Sequence, residues 1–186
     1  MDADVKAGAR KAAFAARKAV FAADDAASRV AGANANLSAV LAGYAGQVLA
    51  GYMPMRTEIS PLPAMHGHSG ALCVPVIMAP ATPLRFAAYQ AGADMVEGAF
   101  GAYIPATLTY LVPTVLIVPL LAYDARGYRL GYGGGFYDRT LEGLRAAGKI
   151  TAIGFAFAAQ EAREVPIDAT DQRLDMIVTE HGCLVF

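Results

Sequence analysis

The sequence predicts a single α/β domain over residues 1–186, three layers deep, with a mostly parallel sheet. Three observations carry this. Leu72–Met78 and Thr114–Leu121 are continuous apolar runs, the pattern of strands buried on both faces. Helical segments stand between such runs, the alternation expected of a sheet covered on both sides. A glycine run at 131–135 then joins a buried strand to a helix.

In chain order, residues 4–22 read as a helix rich in Ala, Lys and Arg, with Gly8 its weak point. Asp24 or Asp25 is placed to cap a second helix running to Leu41. Gln47–Tyr52 is a short apolar run, followed by the turn Met53-Pro54-Met55-Arg56-Thr57. Ser60-Pro61 starts a helix, with serine as N-cap and proline at the first helical position. Leu84–Tyr89 reads as a strand, and Ala91–Gly101 as a loop because of its glycines. Tyr137–Ala147 reads as a helix ended by Gly148, while Ile150–Phe157, Met176–Thr179 and Cys183–Phe186 read as strands.

Composition removes several classes of function. Hydrophobic residues make up 56% and charged residues 17%, so the chain has enough apolar mass to form a core. A net charge of −1 gives no general attraction to nucleic acid or anionic lipid. Any anionic ligand must therefore meet a local basic cluster. The longest apolar stretch, Tyr110 to Tyr123, is broken by Pro113 and Pro119 and is shorter than the about 20 residues of a membrane span. The N-terminus lacks the apolar segment of a signal peptide. Cys73 and Cys183 form no CxxC pair, which points to buried thiols in a reducing, cytoplasmic protein.

The most informative stretch is Arg129-Leu130-Gly131-Tyr132-Gly133-Gly134-Gly135-Phe136-Tyr137-Asp138-Arg139. Glycines let successive N–H groups converge on an anion, and the helix N-terminus behind them adds partial positive charge. Arg129 and Arg139 flank the run. The implied chemistry is phosphate binding, with Gly134 expected to tolerate no β-branched side chain. A tight connection without a ligand is the alternative. Neither the GxxxxGK[ST] pattern nor GxGxxG fits the run.

These residues resemble the signature of the 5-formyltetrahydrofolate cyclo-ligase family. Four further blocks follow in the family's order: Lys6-x-x-x-Arg10; Met55-Arg56-Thr57-Glu58-Ile59-Ser60-Pro61-Leu62; Gly98-x-Phe100-Gly101 with Pro105; and Val165-Pro166 leading to Asp171 and Leu174-Asp175. The chain departs from the family at Ser60, where Asp is usual, at Ala87-Ala88, often basic or polar, and at Tyr103-Ile104, where an acidic residue is common. The resemblance implies a fold similar to ribose-phosphate isomerases and CoA transferases. It also implies ATP- and Mg²⁺-dependent cyclisation of 5-formyltetrahydrofolate; separately, a monomer is expected.

By resemblance, ATP meets Lys6, Arg10, Arg129, Leu130 and the run from Gly131 to Tyr137. Met53, Glu58, Phe100, Tyr132, Gly133, Gly134, Gly135 and Phe136 form the folate side, and Asp138 and Asp171 hold Mg²⁺. No protein nucleophile is required, since the substrate supplies its own, and no GxSxG motif is present. On an ideal helix Lys6, Arg10 and Arg17 fall within about 40° of one another. A solvated basic face is the plainer reading of that stripe, and the family pattern favours a phosphate role for Lys6 and Arg10 alone. Plainer roles also exist for Glu58, as a charge near a helix N-terminus, for Asp138, as a salt bridge or cap beside Arg139, and for Asp171, near Arg173. His66-x-His68 lies in a Gly/Ser turn without nearby Cys or carboxylate and is not read as a metal site. Two other readings stand beside the ligase: a sugar-phosphate isomerase or CoA transferase-like enzyme, and a non-catalytic folate- or nucleotide-binding protein.

Overall fold

The computed structural model describes residues 3–186. The helices are α1 (Ala3–Phe21), α2 (Ala26–Leu41), α3 (Leu62–His66) and α4 (Phe136–Ala147). The strands are β1 (Leu49–Ala50), β2 (Leu72–Val76), β3 (Arg85–Tyr89), β4 (Met95–Glu97), β5 (Tyr103–Pro105), β6 (Tyr110–Leu111), β7 (Val115–Val118), β8 (Ala122–Tyr123), β9 (Arg129–Leu130), β10 (Thr151–Phe155), β11 (Met176–Thr179) and β12 (Gly182–Val185).

Eight strands form the main sheet in the order β12-β11-β10-β7-β1-β2-β3-β6. Its centre, from β11 to β2, is parallel, while β12, β3 and β6 add antiparallel edges. Alternation along the strands makes the three layers. Val115, Ile117, Ile153, Phe155 and Val178 join one core with Leu37 and Leu41 of α2. Their neighbours Leu116, Val118, Ala152 and Ile177 join the opposite core with Leu141 of α4. The expected fold class is therefore the observed one.

Local differences have identifiable causes. Residues 91–101 are not all loop: β4 pairs with β5 in a separate hairpin, whose short strands carry no apolar alternation. Asp25 occupies the N-cap of α2, but its carboxylate pairs with Arg29 at 2.7 Å instead of capping. The helix after Ser60 begins only at Leu62, with Pro61 at its N-cap and Ser60 Oγ accepting from the Leu62 N–H at 3.4 Å. Cys73 is buried, but Cys183 is exposed on the edge strand β12, and both are free. Ala87 is fully buried within β3, so that family departure belongs to the sheet.

The parallel centre positions the site. From β1 the chain moves to β2 on one side, then returns as β7 on the other. Ligands of open α/β sheets bind where carboxyl ends flank such a reversal. The segment after β1 carries Met53 and Glu58, the segment after β7 leads to the glycine run, and the segment after β10 carries Asp168 and Asp171.

Candidate functional site

The glycine run forms an open loop at the N-terminus of α4. Gly133 (φ +100°) and Gly135 (φ +62°, the N-cap) adopt the left-handed conformation that glycine favours. Gly134 does not, so a side chain there is opposed by space and not by backbone strain: its Cβ would lie 2.6 Å from the Phe136 ring. Among the described residues, nothing accepts the N–H groups of Gly133, Gly134 and Gly135. With the free first-turn N–H groups of α4, they make a field of unpaired donors. Arg10 reaches this loop from α1, its Nε donating to the Gly131 carbonyl at 3.1 Å and its guanidinium lying against Gly133. Arg139 donates to the Gly134 carbonyl from the other side.

A second group of charges lies beside it. Lys6 Nζ donates to Asp168 at 2.7 Å and to Asp171 at 2.6 Å. Burial alone would lower the Lys6 pKa, but the two carboxylates raise it. The Lys6 hydrogen bond is the largest influence holding Asp168 well below the usual carboxylate range. Since Asp168 is exposed, its pair with Lys6 stabilises the fold little. Asp138 pairs with Arg129 at 2.8 Å, not with the adjacent Arg139, and also accepts from the Gln172 N–H at 3.0 Å. Arg129 further donates to the Gln172 carbonyl at 2.7 Å. This knot brings Asp138 next to the Asp171 segment. Arg173 turns away to the Arg126 carbonyl, so Asp171 is partnered by Lys6.

The two carboxylates fit a magnesium ion. Asp138 uses only Oδ1, and Asp171 only Oδ2, so each keeps one oxygen without a protein partner. Among the described residues no group of three or more His, Cys, Asp or Glu side chains is placed to hold a metal. Mg²⁺ needs no such cage, since one or two carboxylates, phosphate oxygens and water complete its octahedron.

Glu58 lies on the other side of the glycine run. Its side chain is nearly buried, with Oε2 accepting from the Met55 N–H at 2.8 Å and Oε1 from the Tyr132 hydroxyl at 2.5 Å. Burial raises its pKa, opposed by hydrogen bonds from Tyr132 and Met55 and by the charges of Arg17 and Arg56. Burial, with the nearby carboxylate, also pushes the Tyr132 phenol up, so this hydroxyl keeps its proton and donates it. Met55, which donates to Glu58, also lines a cleft of about 340 Å³ with Met53, Pro54, Arg56, Phe100, Gly101 and Tyr103. Phe100 is 70% exposed and tilts toward Phe136 with ring centroids 6.2 Å apart.

The structure thus gathers Lys6, Arg10, the glycine run, Asp138 and Asp171 on one flank, and Met53, Glu58, Tyr132, Phe100 and Phe136 on the other. Three expected residues differ in kind. The Leu130 side chain is core, the Arg129 side chain is committed to Asp138 and Gln172, and the Tyr137 hydroxyl is buried without a partner. Arg17, read as part of a solvated stripe, is 1% exposed and packs beside Tyr132. Its signal was the spacing Arg10, Phe14, Arg17, which puts an aromatic residue on the basic face. Arg56, Tyr103 and Asp168 were also missed as site residues: Arg56 stands in the Glu58 block and Tyr103 at a departure from the family, while no motif marked Asp168.

The sequence and the fold have counterparts among known proteins. The sequence model of the 5-formyltetrahydrofolate cyclo-ligase family matches residues 3–180. The chain is 45% identical over 65 residues to 5-formyltetrahydrofolate cyclo-ligase of Escherichia coli, 35% of each chain. It is 35% identical over 101 residues to that of Haemophilus influenzae, 51% of this chain and 54% of the relative. These matches span only about a third to a half of the relatives' length. The fold superposes on 5,10-methenyltetrahydrofolate synthetase of Aquifex aeolicus with a TM-score of 0.77 at 24% identity, covering 97% of this chain and 92% of that one. The synthetase of Mycoplasma pneumoniae gives 0.72 at 21% identity, covering 97% and 99%. With the family pattern matched from the first helix to beyond the last parallel strand, the chain belongs to the 5-formyltetrahydrofolate cyclo-ligase family.

Proposed function

We propose that this chain catalyses the ATP-dependent cyclisation of 5-formyltetrahydrofolate to 5,10-methenyltetrahydrofolate, releasing ADP and phosphate. One observation carries the reading. Tyr132 lies within the glycine loop, yet its hydroxyl donates to Glu58 at 2.5 Å, so the anion loop and the buried carboxylate share one boundary. An enzyme that transfers a phosphoryl group to a pterin-borne formyl needs its nucleotide and folate sites joined in this way.

In the proposed reaction the formyl oxygen attacks the γ-phosphorus of ATP, the bond to the β,γ-bridging oxygen breaks, and ADP leaves. N10 then attacks the formyl carbon and loses its proton, and the carbon–oxygen bond breaks to release phosphate. The protein's part is positioning and charge stabilisation. The free N–H groups at 133–135, Arg10 and a released Lys6 hold the phosphates. Glu58 orients the pterin, while Met53, Phe100 and Phe136 exclude water around it. Asp138 and Asp171 would hold Mg²⁺, which neutralises phosphate charge when bound.

The proposal includes a monomer in the cytoplasm that needs no nucleic acid or membrane partner. Both cysteines are free, and among the described residues no helix is long and apolar enough to cross a membrane. Growth of methenyltetrahydrofolate absorbance from 5-formyltetrahydrofolate, with and without ATP, tests the reading. ATP-dependent growth is expected; ligand binding without it would leave the non-catalytic alternative. Asp138→Asn is expected to raise the Mg²⁺ concentration for half-maximal activity by about tenfold. Asparagine keeps an acceptor for Arg129, so the fold is retained. An unaltered Mg²⁺ titration with a lowered melting temperature would make Asp138 a tether for Arg129 and nothing more.

A further inference from the structure

Arg17 is the most deeply buried cation among the described residues. It is 1% exposed, and its guanidinium lies 5.5 Å from the Tyr132 ring centroid and 5.6 Å from that of Phe14. Nε donates to Thr57 Oγ1 at 3.1 Å, one residue before Glu58, and one terminal nitrogen donates weakly to the Leu120 carbonyl at 3.4 Å. That same nitrogen is 3.9 Å from Glu58 Oε1. The other terminal nitrogen is buried with no partner among the described residues.

As scaffold this arrangement is poor. A buried guanidinium loses its hydration, an orphan donor adds to that cost, and a well-packed apolar residue of similar size usually does as well or better. The cation makes sense if its charge is needed where it lies. It touches α1, the segment after β7, the 55–58 turn and the glycine loop together. It stands behind the Tyr132–Glu58 hydrogen bond, through which the glycine loop meets the 55–58 turn.

We propose that Arg17 is a positioning residue for the folate side: stacked on Tyr132 and facing Glu58, it fixes the Tyr132–Glu58 pair and keeps that carboxylate aimed at substrate. This rests on the folate assignment above. The groups facing Glu58 are Arg17 from α1, Tyr132 from the glycine loop, Tyr137 from α4, Tyr52 after β1, and Arg56 with the Met55 N–H in its own turn. Arg17 and Arg56 are the cations among them. Lysine cannot replace Arg17 fully, because an ammonium lacks the planar face that stacks on Tyr132.

The test compares wild type, Arg17→Lys and Arg17→Met by calorimetric titration with 5-formyltetrahydrofolate and, separately, ATP, each across neutral and mildly acidic pH, beside melting curves. Arg17→Met is expected to weaken 5-formyltetrahydrofolate binding by about ten- to a hundredfold and ATP binding by less than about threefold. Its folate affinity should fall further as pH drops, because Glu58 without its cation protonates more readily. Arg17→Lys, the variant more certain to fold, should show an intermediate folate loss. Equal losses for both ligands, or a loss in melting temperature with unchanged folate affinity, would overturn the proposal and make Arg17 scaffold. Wild type that binds folate but forms no methenyl product would sink the ligase reading and leave this one standing. Wild type that binds no folate would overturn both.

Discussion

Gly133→Val is expected to lower ATP-dependent turnover by about a hundredfold or more in a protein that remains folded. Gly133 has φ +100°, where a β-branched residue is strained by about 1–3 kcal/mol. Its new Cβ would also lie 3.1 Å from the Arg10 Cζ, pushing that guanidinium off the loop. Both effects strike the proposed phosphate contacts, the N–H direction and the flanking cation. The loop is exposed and outside the two main cores, so the strain falls within a normal stability margin of about 5–15 kcal/mol. Gly143→Ala in α4 is the matched control, since a Cβ there meets nothing within 4 Å, φ is not left-handed and the residue lies outside the glycine run. Turnover, calorimetric ATP affinity and a melting curve measure all three expectations. Unchanged ATP affinity in folded Gly133→Val would remove the phosphate role from this loop.

The contrast between Gly133 and Arg17 shows what the sequence made legible. A phosphate nest is built from consecutive residues, so its chemistry survives in a linear reading, as does the parallel centre in its apolar runs. Arg17 depends on Tyr132, Thr57 and Leu120, which only the fold brings to it; its helical spacing alone suggested a solvated face. The partners of Asp138 failed for the same reason. Sequence adjacency pointed to Arg139, but Arg129 in β9 lies across the loop and takes the carboxylate. The β4–β5 hairpin escaped because edge strands of three residues carry no periodicity to read. Glu58 fell between these cases: its place after β1 was legible, and its phenolic partner was not.

Glu58→Gln is expected to weaken 5-formyltetrahydrofolate binding by about ten- to a hundredfold and to change ATP affinity much less. Glutamine keeps the size and one acceptor oxygen, which the Met55 N–H will claim. Its NH₂ group then faces the Tyr132 hydroxyl, which must turn to accept, and the charge presented to substrate is gone. The helix-dipole alternative predicts a lower melting temperature with folate binding intact, a loss of about 0.3–1 kcal/mol. The structure argues against that role, since α3 starts at Leu62 and Glu58 is held in the preceding turn. Linkage gives the stability effect the opposite sign. Burial raises the folded pKa of Glu58 above its ordinary value near 4.5. The folded state therefore holds the proton more tightly, and this group's contribution to stability is present below that value and lost as pH rises through the raised one. A neutral glutamine escapes this loss but leaves buried Arg17 without its counter-charge, so the melting temperature moves by the balance of the two and the folate affinity is the deciding measurement. A wild-type folate affinity with a lowered melting temperature would return Glu58 to the scaffold.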